Sequence, residues 1–247
     1  VEPTEPVGDA RLAFSALPAD LARDAEPLFA KAGVGVCSNA SAFRMEPDVP
    51  ILIPEVNPDH IGIIAAQRRN RGWTGFIVTN PNCTSTGLTM ALRPLQDRFG
   101  LRRGVIVSLQ ALSGAGYPGV ASLDILDNVL PYIGGEEEKV EAEPRKMLGL
   151  LQDGRLEPAP FQFSAHCNRV AVSDGHVVCA SLEFEKAASP EEVARALAEF
   201  ESPAAVRGLP SAPNPPIEVR MENDRPQPRR DRAAGKGMTA VVGRIRK

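Results

Sequence analysis

The stretch Thr74-Gly-Phe-Ile-Val-Thr-Asn-Pro-Asn-Cys-Thr-Ser-Thr-Gly87 passes from a strand to a helix through a tight turn. Thr74 to Thr79 is a short apolar, β-branched run of the kind that forms a buried strand. Asn80-Pro81-Asn82 is turn-forming, and beyond it Leu88, Leu92, Leu95 and Phe99 recur at helical spacing until Gly100. A helix opening at Asn82 follows, with Pro94 inside it predicting a kink. Cys83 then lies on the first turn, where unpaired N–H groups and the helix dipole favour a thiolate and can hold an oxyanion. A small core cysteine suits the same position, so on position alone the two readings stand level.

Upstream, the first ten residues are polar and turn-like, and Leu12 to Ala16 is a short apolar run. Asp20 opens a helical stretch whose stripe includes Leu21, Ala25, Leu28 and Phe29. Gly33 to Cys37 and Pro50 to Pro54 are strand-like. Short buried strands separated by helical stretches predict a parallel α/β sheet. Downstream, Gly104 to Gln110 reads as a strand followed by a glycine-rich loop, then helical segments at Ser122–Leu130 and Glu136–Leu151. Phe163–Val172 and His176–Phe184 predict a hairpin about Asp174-Gly175. Ser189-Pro-Glu-Glu192 combines an N-cap, an N1 proline and a capping-box glutamate. Arg207 to Arg232 reads as an extended connection and Met238 to Ile245 as a last strand. The change from parallel α/β to α+β predicts two domains, 1–82 and 83–247.

The 247 residues carry 43% hydrophobic and 24% charged side chains with a formal net charge of −3, an ordinary globular composition without the basic field of a nucleic-acid binder. Apolar runs are too short to span a bilayer, and nothing at the N-terminus reads as a secretion signal. Four cysteines without a CxxC pair favour free thiols in a reducing compartment, hence a cytoplasmic protein.

In the predicted hairpin, strand alternation puts Arg169 and His176 on one face with Ala171, Val178 and Ala180. That pairing suits a site handling an anion and a proton, although a solvent-facing turn histidine is the plainer alternative. His166, Cys167, His176 and Cys179 fit no common zinc spacing, and no metal is expected. Gly114-Ala-Gly-Tyr-Pro-Gly119 has the letters of a dinucleotide fingerprint but opens no helix at the required place, leaving a loop that a ligand can approach closely. Glu136-Glu-Glu-Lys139 reads as a solvated helix start, and Arg225 to Arg232 as an exposed arm.

Asn80–Gly87, Leu109–Gly119, Ile133–Lys139 and Ser164–Arg169, with Ser38–Met45 and Asp224–Arg229, resemble the aspartate-semialdehyde dehydrogenases of the archaeal and fungal kind. The resemblance runs in order through essentially the whole chain. It implies a partial Rossmann-like NADP-binding domain (1–82) and a mixed-sheet catalytic and dimerisation domain (83–247) like that of glyceraldehyde-3-phosphate dehydrogenase. The family's opening Gly-rich loop and closing segment have no counterpart here, which leaves NADP binding by this chain open. The implied reaction is reduction of 4-phospho-L-aspartate to L-aspartate 4-semialdehyde, in lysine, threonine and methionine biosynthesis. By resemblance Cys83 is the nucleophile, Gln110 orients the acyl group, Arg169 binds the substrate carboxylate and His176 is the acid/base. Arg44, Asn82 and Lys139 correspond to phosphate-binding positions and Glu136 to a substrate-amine contact, while Ser113, Gly114, Ala115 and Gly116 line the nicotinamide side of NADP. The partners implied are a small-molecule substrate, phosphate, and further copies in a homodimer or homotetramer. A thioester reductase such as malonyl-CoA reductase, or an inactive remnant that dimerises, are the alternatives.

Overall fold

The structure, a computed structural model, describes residues 8–247, so most of the turn-like N-terminus (residues 1–7) lies outside the described residues. In chain order the elements are β1 (Leu12–Ser15), α1 (Ala19–Lys31), β2 (Gly35–Ser38), α2 (Ile64–Arg71), β3 (Phe76–Thr79), α3 (Cys83–Phe99) and β4 (Leu101–Gln110). There follow α4 (Ser122–Ile125), α5 (Glu136–Met147), β5 (Leu150–Gln152), β6 (Arg155–Glu157), β7 (Gln162–Arg169) and β8 (Val177–Phe184). The last are α6 (Pro190–Ala198), α7 (Ala204–Arg207), β9 (Ile217–Arg220), α8 (Pro228–Asp231) and β10 (Ala240–Gly243). The chain divides into two compact units: residues up to Asn82 with Arg145–Ala159, and Cys83–Pro144 with Pro160–Lys247.

The first unit is built on a parallel sheet, β1-β2-β3, whose register aligns Ser15 with Ser38 and Ser38 with Thr79. Val36, Phe43, Val49 and Ile77 form its core, and full burial of a side chain the size of Ile77 stabilises by about 1.5–3 kcal/mol. Helix α1 buries Ala22, Ala25, Glu26 and Ala30, whereas Leu21 and Leu28 of the expected stripe are exposed. Small alanines let the helix lie close over the strands, and Glu26 accepts a hydrogen bond from Ser38 Oγ (2.6 Å). The helix expected to reach Leu151 stops at Met147. Asp153 and Gly154, both at positive φ, instead turn β5 back onto β6, and Leu156 packs on Ile63 and Ala66. Lys146, buried, donates to the carbonyls of Arg44, Glu46 and Val49 at 2.5–2.7 Å, fixing that loop.

In the second unit the sheet order is β7-β4-β8. β4 runs parallel to β7 and antiparallel to β8, so the expected hairpin of β7 with β8 does not form. Ten-residue β4 is long enough to hydrogen-bond both eight-residue strands, and it takes the centre. At the β7 edge, Glu141 and Glu137 of α5 accept from the N–H groups of Ala165 and Cys167, blunting an otherwise open row of donors. Helix α3 continues through Pro94. Leu95 packs with Ala196, Leu197 and Ile217, and the rings of Phe99 and Phe184 lie 5.5 Å apart. The capping box starts α6 as its sequence predicts: Ser189 Oγ accepts from Glu192 N, and the Glu192 carboxylate accepts from Ser189 N.

Two segments depart from their sequence patterns. Only Ser122–Ile125 of the expected 122–130 helix is helical, because Leu130 makes an isolated bridge with Arg169. The 207–232 segment is not merely extended; it holds β9, paired in parallel with β10, and α8.

Candidate active site

Register alone gathers three of the candidate residues at one end of the second unit's sheet. Gln110, the last residue of β4, is the register partner of Arg169, the last of β7. Leu109 is the partner of Val177, so His176 stands at the start of β8 beside them. Cys83 opens α3, and its Sγ lies 3.2 Å from His176 Nε2. Gln110 and Arg169 are buried; Gln110 Nε2 donates to Ser108 Oγ and to Glu136 at 3.3 Å each. Arg169 Nη1 donates to the Ala111 carbonyl at 2.8 Å and sits 3.5 Å from Gln110 Oε1. Lys139 Nζ is 2.8 Å from the Glu136 carboxylate, so these two join the cluster as an ion pair rather than as a solvated helix start.

The second ring nitrogen of His176 settles its proton. Nδ1 accepts the backbone N–H of Ala111 at 3.0 Å, so the neutral imidazole carries its hydrogen on Nε2, aimed at Cys83 Sγ. No side-chain pattern announces Ala111 in this role, since its contribution is a backbone group. Burial, then the neighbouring Arg169 charge, lower the His176 pKa, and Glu136 pulls weakly the other way. Helix position predicts a lowered thiol pKa for Cys83, but the Cys83 thiol is raised. Although the residue is exposed, the protein packed about its sulfur is the largest influence and the Glu136 carboxylate adds to it, together outweighing the N–H groups of Thr84 and Cys83. The resting pair is therefore thiol and neutral imidazole.

The role of Glu136 gives a pH prediction. A thiolate beside Glu136 is repelled, so the carboxylate favours the protonated thiol, and removing its charge favours the thiolate. Alkylation of Cys83 by iodoacetamide, located by peptide mass spectrometry, should show a midpoint above that of an ordinary cysteine. In Glu136→Gln that midpoint should fall. An unchanged or higher midpoint would refute this electrostatic account.

Arg44 and Asn82 belong to the first unit. Arg44 is buried and donates Nη2 to the Asn39 carbonyl at 2.8 Å; Asn82 is buried in the turn just before α3. Ser113, Gly114 and Ala115 lie in a single 3-10 turn, Leu112–Ala115, after β4, with Gly116 as its C-cap and with Leu112 N and Ser113 N bonded to the carbonyls of Val172 and Ser173. Gly114 lies directly on the cluster. A Cβ there would come within 2.8 Å of Arg169 Nη1 and 2.9 Å of His176 Cε1.

A family model described as the semialdehyde dehydrogenase dimerisation domain matches residues 92–247, and one described as the semialdehyde dehydrogenase NAD binding domain matches residues 1–64. The chain is 57% identical over 239 residues to the aspartate-semialdehyde dehydrogenase of Archaeoglobus fulgidus, covering 97% of this chain and 68% of that protein. This chain belongs to the aspartate-semialdehyde dehydrogenase family. It is 44% identical to the aspartate-semialdehyde dehydrogenase of Saccharomyces cerevisiae, with 95% of this chain and 68% of that protein covered. Among solved structures, that of aspartate semialdehyde dehydrogenase with NADP from Candida albicans matches with a TM-score of 0.87 at 42% identity, over 98% of this chain and 71% of that one. As a member of this family the chain joins a parallel α/β unit to a unit with a mixed sheet. Among the described residues no helix is long and apolar enough to cross a membrane.

Proposed function

We propose that this chain catalyses the aspartate-semialdehyde dehydrogenase reaction, the NADP-linked reductive dephosphorylation of 4-phospho-L-aspartate, with Cys83 as the nucleophile. The observation that carries the reading is the 3.2 Å approach of His176 Nε2 to Cys83 Sγ, with Gln110, Arg169 and Glu136 about it, in a chain of this family.

Each step follows from the groups on hand. Cys83 loses its proton to solvent as the substrate binds, the Nε2–H of His176 holds the thiolate, and the sulfur attacks the acyl carbon; the C–O bond to phosphate breaks and a thioester remains. Arg169 suits bidentate recognition of the substrate carboxylate, and Glu136 faces the amine. Lys139 offsets the charge of the departing phosphate, and Arg44 and Asn82 are the first unit's candidate phosphate contacts by resemblance to the family. The chemistry the nicotinamide cofactor supplies when bound is a hydride for that acyl carbon. Gly114 supports its fit: the absence of a side chain leaves bare backbone beside His176, which a flat ring can approach, with Ser113, Ala115 and Gly116 completing the loop. His176 Nε2–H donates a hydrogen bond to the oxyanion of the tetrahedral adduct on Cys83, and collapse of that oxyanion to the aldehyde breaks the C–S bond and frees the thiolate.

The test is phosphate-dependent reduction of NADP by aspartate semialdehyde, followed spectrophotometrically. Turnover without phosphate, or with malonyl-CoA in the reverse direction and not with aspartyl phosphate, would sink this assignment.

The family match to a dimerisation domain is consistent with an oligomer, and we place the contact on the open face of the β7-β4-β8 sheet. Val105, 49% exposed, lies there between its register partners Ser164 and Ser181. Small side chains in such a row let a second sheet approach closely, which suits a homodimer. Val105→Arg should shift the chain from dimer to monomer in sedimentation velocity, and an unshifted dimer would move the interface elsewhere. Free thiols throughout fit a cytoplasmic location.

A further inference from the structure

His176 immediately precedes β8, outside its ladder, and its ring must hold one orientation to present Nε2–H to Cys83. Its backbone ends the short link between β7 and β8, and that link is held from two sides. On one, Leu112 N and Ser113 N donate to the carbonyls of Val172 (2.8 Å) and Ser173 (3.0 Å). On the other stands Arg232, just beyond α8. Its Nη1 donates to Ser173 Oγ at 3.1 Å and to the Asp174 carbonyl at 3.3 Å, with the Asp174 carboxylate at 3.8 Å.

We propose that Arg232 is a positioning residue for His176, clamping the 173–175 turn so that the imidazole accepts from Ala111 and offers its Nε2 hydrogen to Cys83. This rests on the role of His176 proposed above. The turn is seated on α8: Gly175 has φ of +90°, and a Cβ there would lie 3.3 Å from Cβ of both Arg232 and Pro228. The seat itself is rigid. Buried Asp231 accepts the Gln227 N–H at 2.5 Å and the guanidinium of Arg225, and that guanidinium holds its carboxyl down to about 2. Arg225 and Asp231 thus fix the end of α8, from which Arg232 reaches the turn. The clamp contributes little stability, because the Arg232 side chain is 39% and that of Asp174 60% exposed, and ion pairs so wetted are weak. Its effect falls instead on where the turn, and hence the ring, is held.

The discriminating measurement is the ring-nitrogen NMR spectrum of His176, assigned among the three histidines with His176→Asn. In the unmodified chain Nδ1 should appear as an unprotonated acceptor and Nε2 as protonated. Arg232→Ala should give a mixture of tautomers and a fall in kcat of roughly 10-fold with KM little changed. The acid limb of its pH profile should move upward, as a loosened ring becomes better solvated and recovers an ordinary histidine pKa. Arg232→Lys should recover part of the loss, and Ser173→Ala, which removes one acceptor without touching α8, should fall between. Unchanged ring shifts and an unchanged pH profile in Arg232→Ala, with only a lower melting temperature, would overturn the proposal. Absence of turnover in the unmodified chain would count against the catalytic reading alone, since the ring shifts report the clamp without it.

Discussion

Cys83→Ala should abolish phosphate-dependent NADP reduction, lowering kcat by on the order of 10⁴-fold or more, as loss of a nucleophile does elsewhere. No other cysteine can substitute: Cys37 belongs to the first unit's sheet, Cys167 is buried within β7, and Cys179 lies midway along β8. The fold should be almost untouched, because Cys83 is exposed and alanine is a good helix residue. Cys83→Ser should be nearly as severe, since a serine hydroxyl stays protonated and leaves poorly from carbon. Measurable turnover within about 10-fold of the unmodified chain in Cys83→Ala would remove covalent catalysis by this residue. Circular dichroism and melting temperature would confirm that the variant folds.

Gly114→Ala should cost about 100-fold in kcat/KM, although it adds only a methyl group. The new Cβ would stand 2.8 Å from Arg169 Nη1 and 2.9 Å from His176 Cε1, closer than such atoms approach, so the guanidinium, the ring or the loop must move. Any of these displaces a group that the proposed chemistry needs within hydrogen-bond reach, and in that proposal the methyl also occupies the face offered to the nicotinamide ring. Both kcat and KM should therefore change. Gly114 is exposed, so thermal stability should barely respond. Gly208→Ala is the matching control, with nothing within 4 Å of its Cβ and φ of −89°, and it should keep full activity. Equal activity in Gly114→Ala and Gly208→Ala would mean that the loop does not crowd the site.

Much of this protein is legible without coordinates. The strand, tight turn and helix about Cys83 follow from local patterns, because apolar period, turn residues and the thiol's place on the first turn are properties of neighbouring residues. The α6 capping box is legible for the same reason. Local signals failed where a strand had a better partner at a distance. Asp153-Gly154 and Asp174-Gly175 are the same dipeptide, yet only the first turns a hairpin. The second is taken up as a turn set against α8, because β4 competes for both neighbouring strands and wins along its whole length.

The sequence by itself determined the family, the strand-to-helix turn carrying Cys83, and the residue types assembled around it. Only the tertiary structure decided that Gln110 and Arg169 are register partners, that His176 reaches Cys83 from the start of β8, and that Ala111 fixes which ring nitrogen bears the proton. It also reversed the expectation for the thiol, whose pKa is raised. The physical reason is common to all four. A helix start acts on a thiol through groups adjacent in the chain, whereas burial, the charge of Glu136 and a backbone donor from another segment depend on distances that only packing sets.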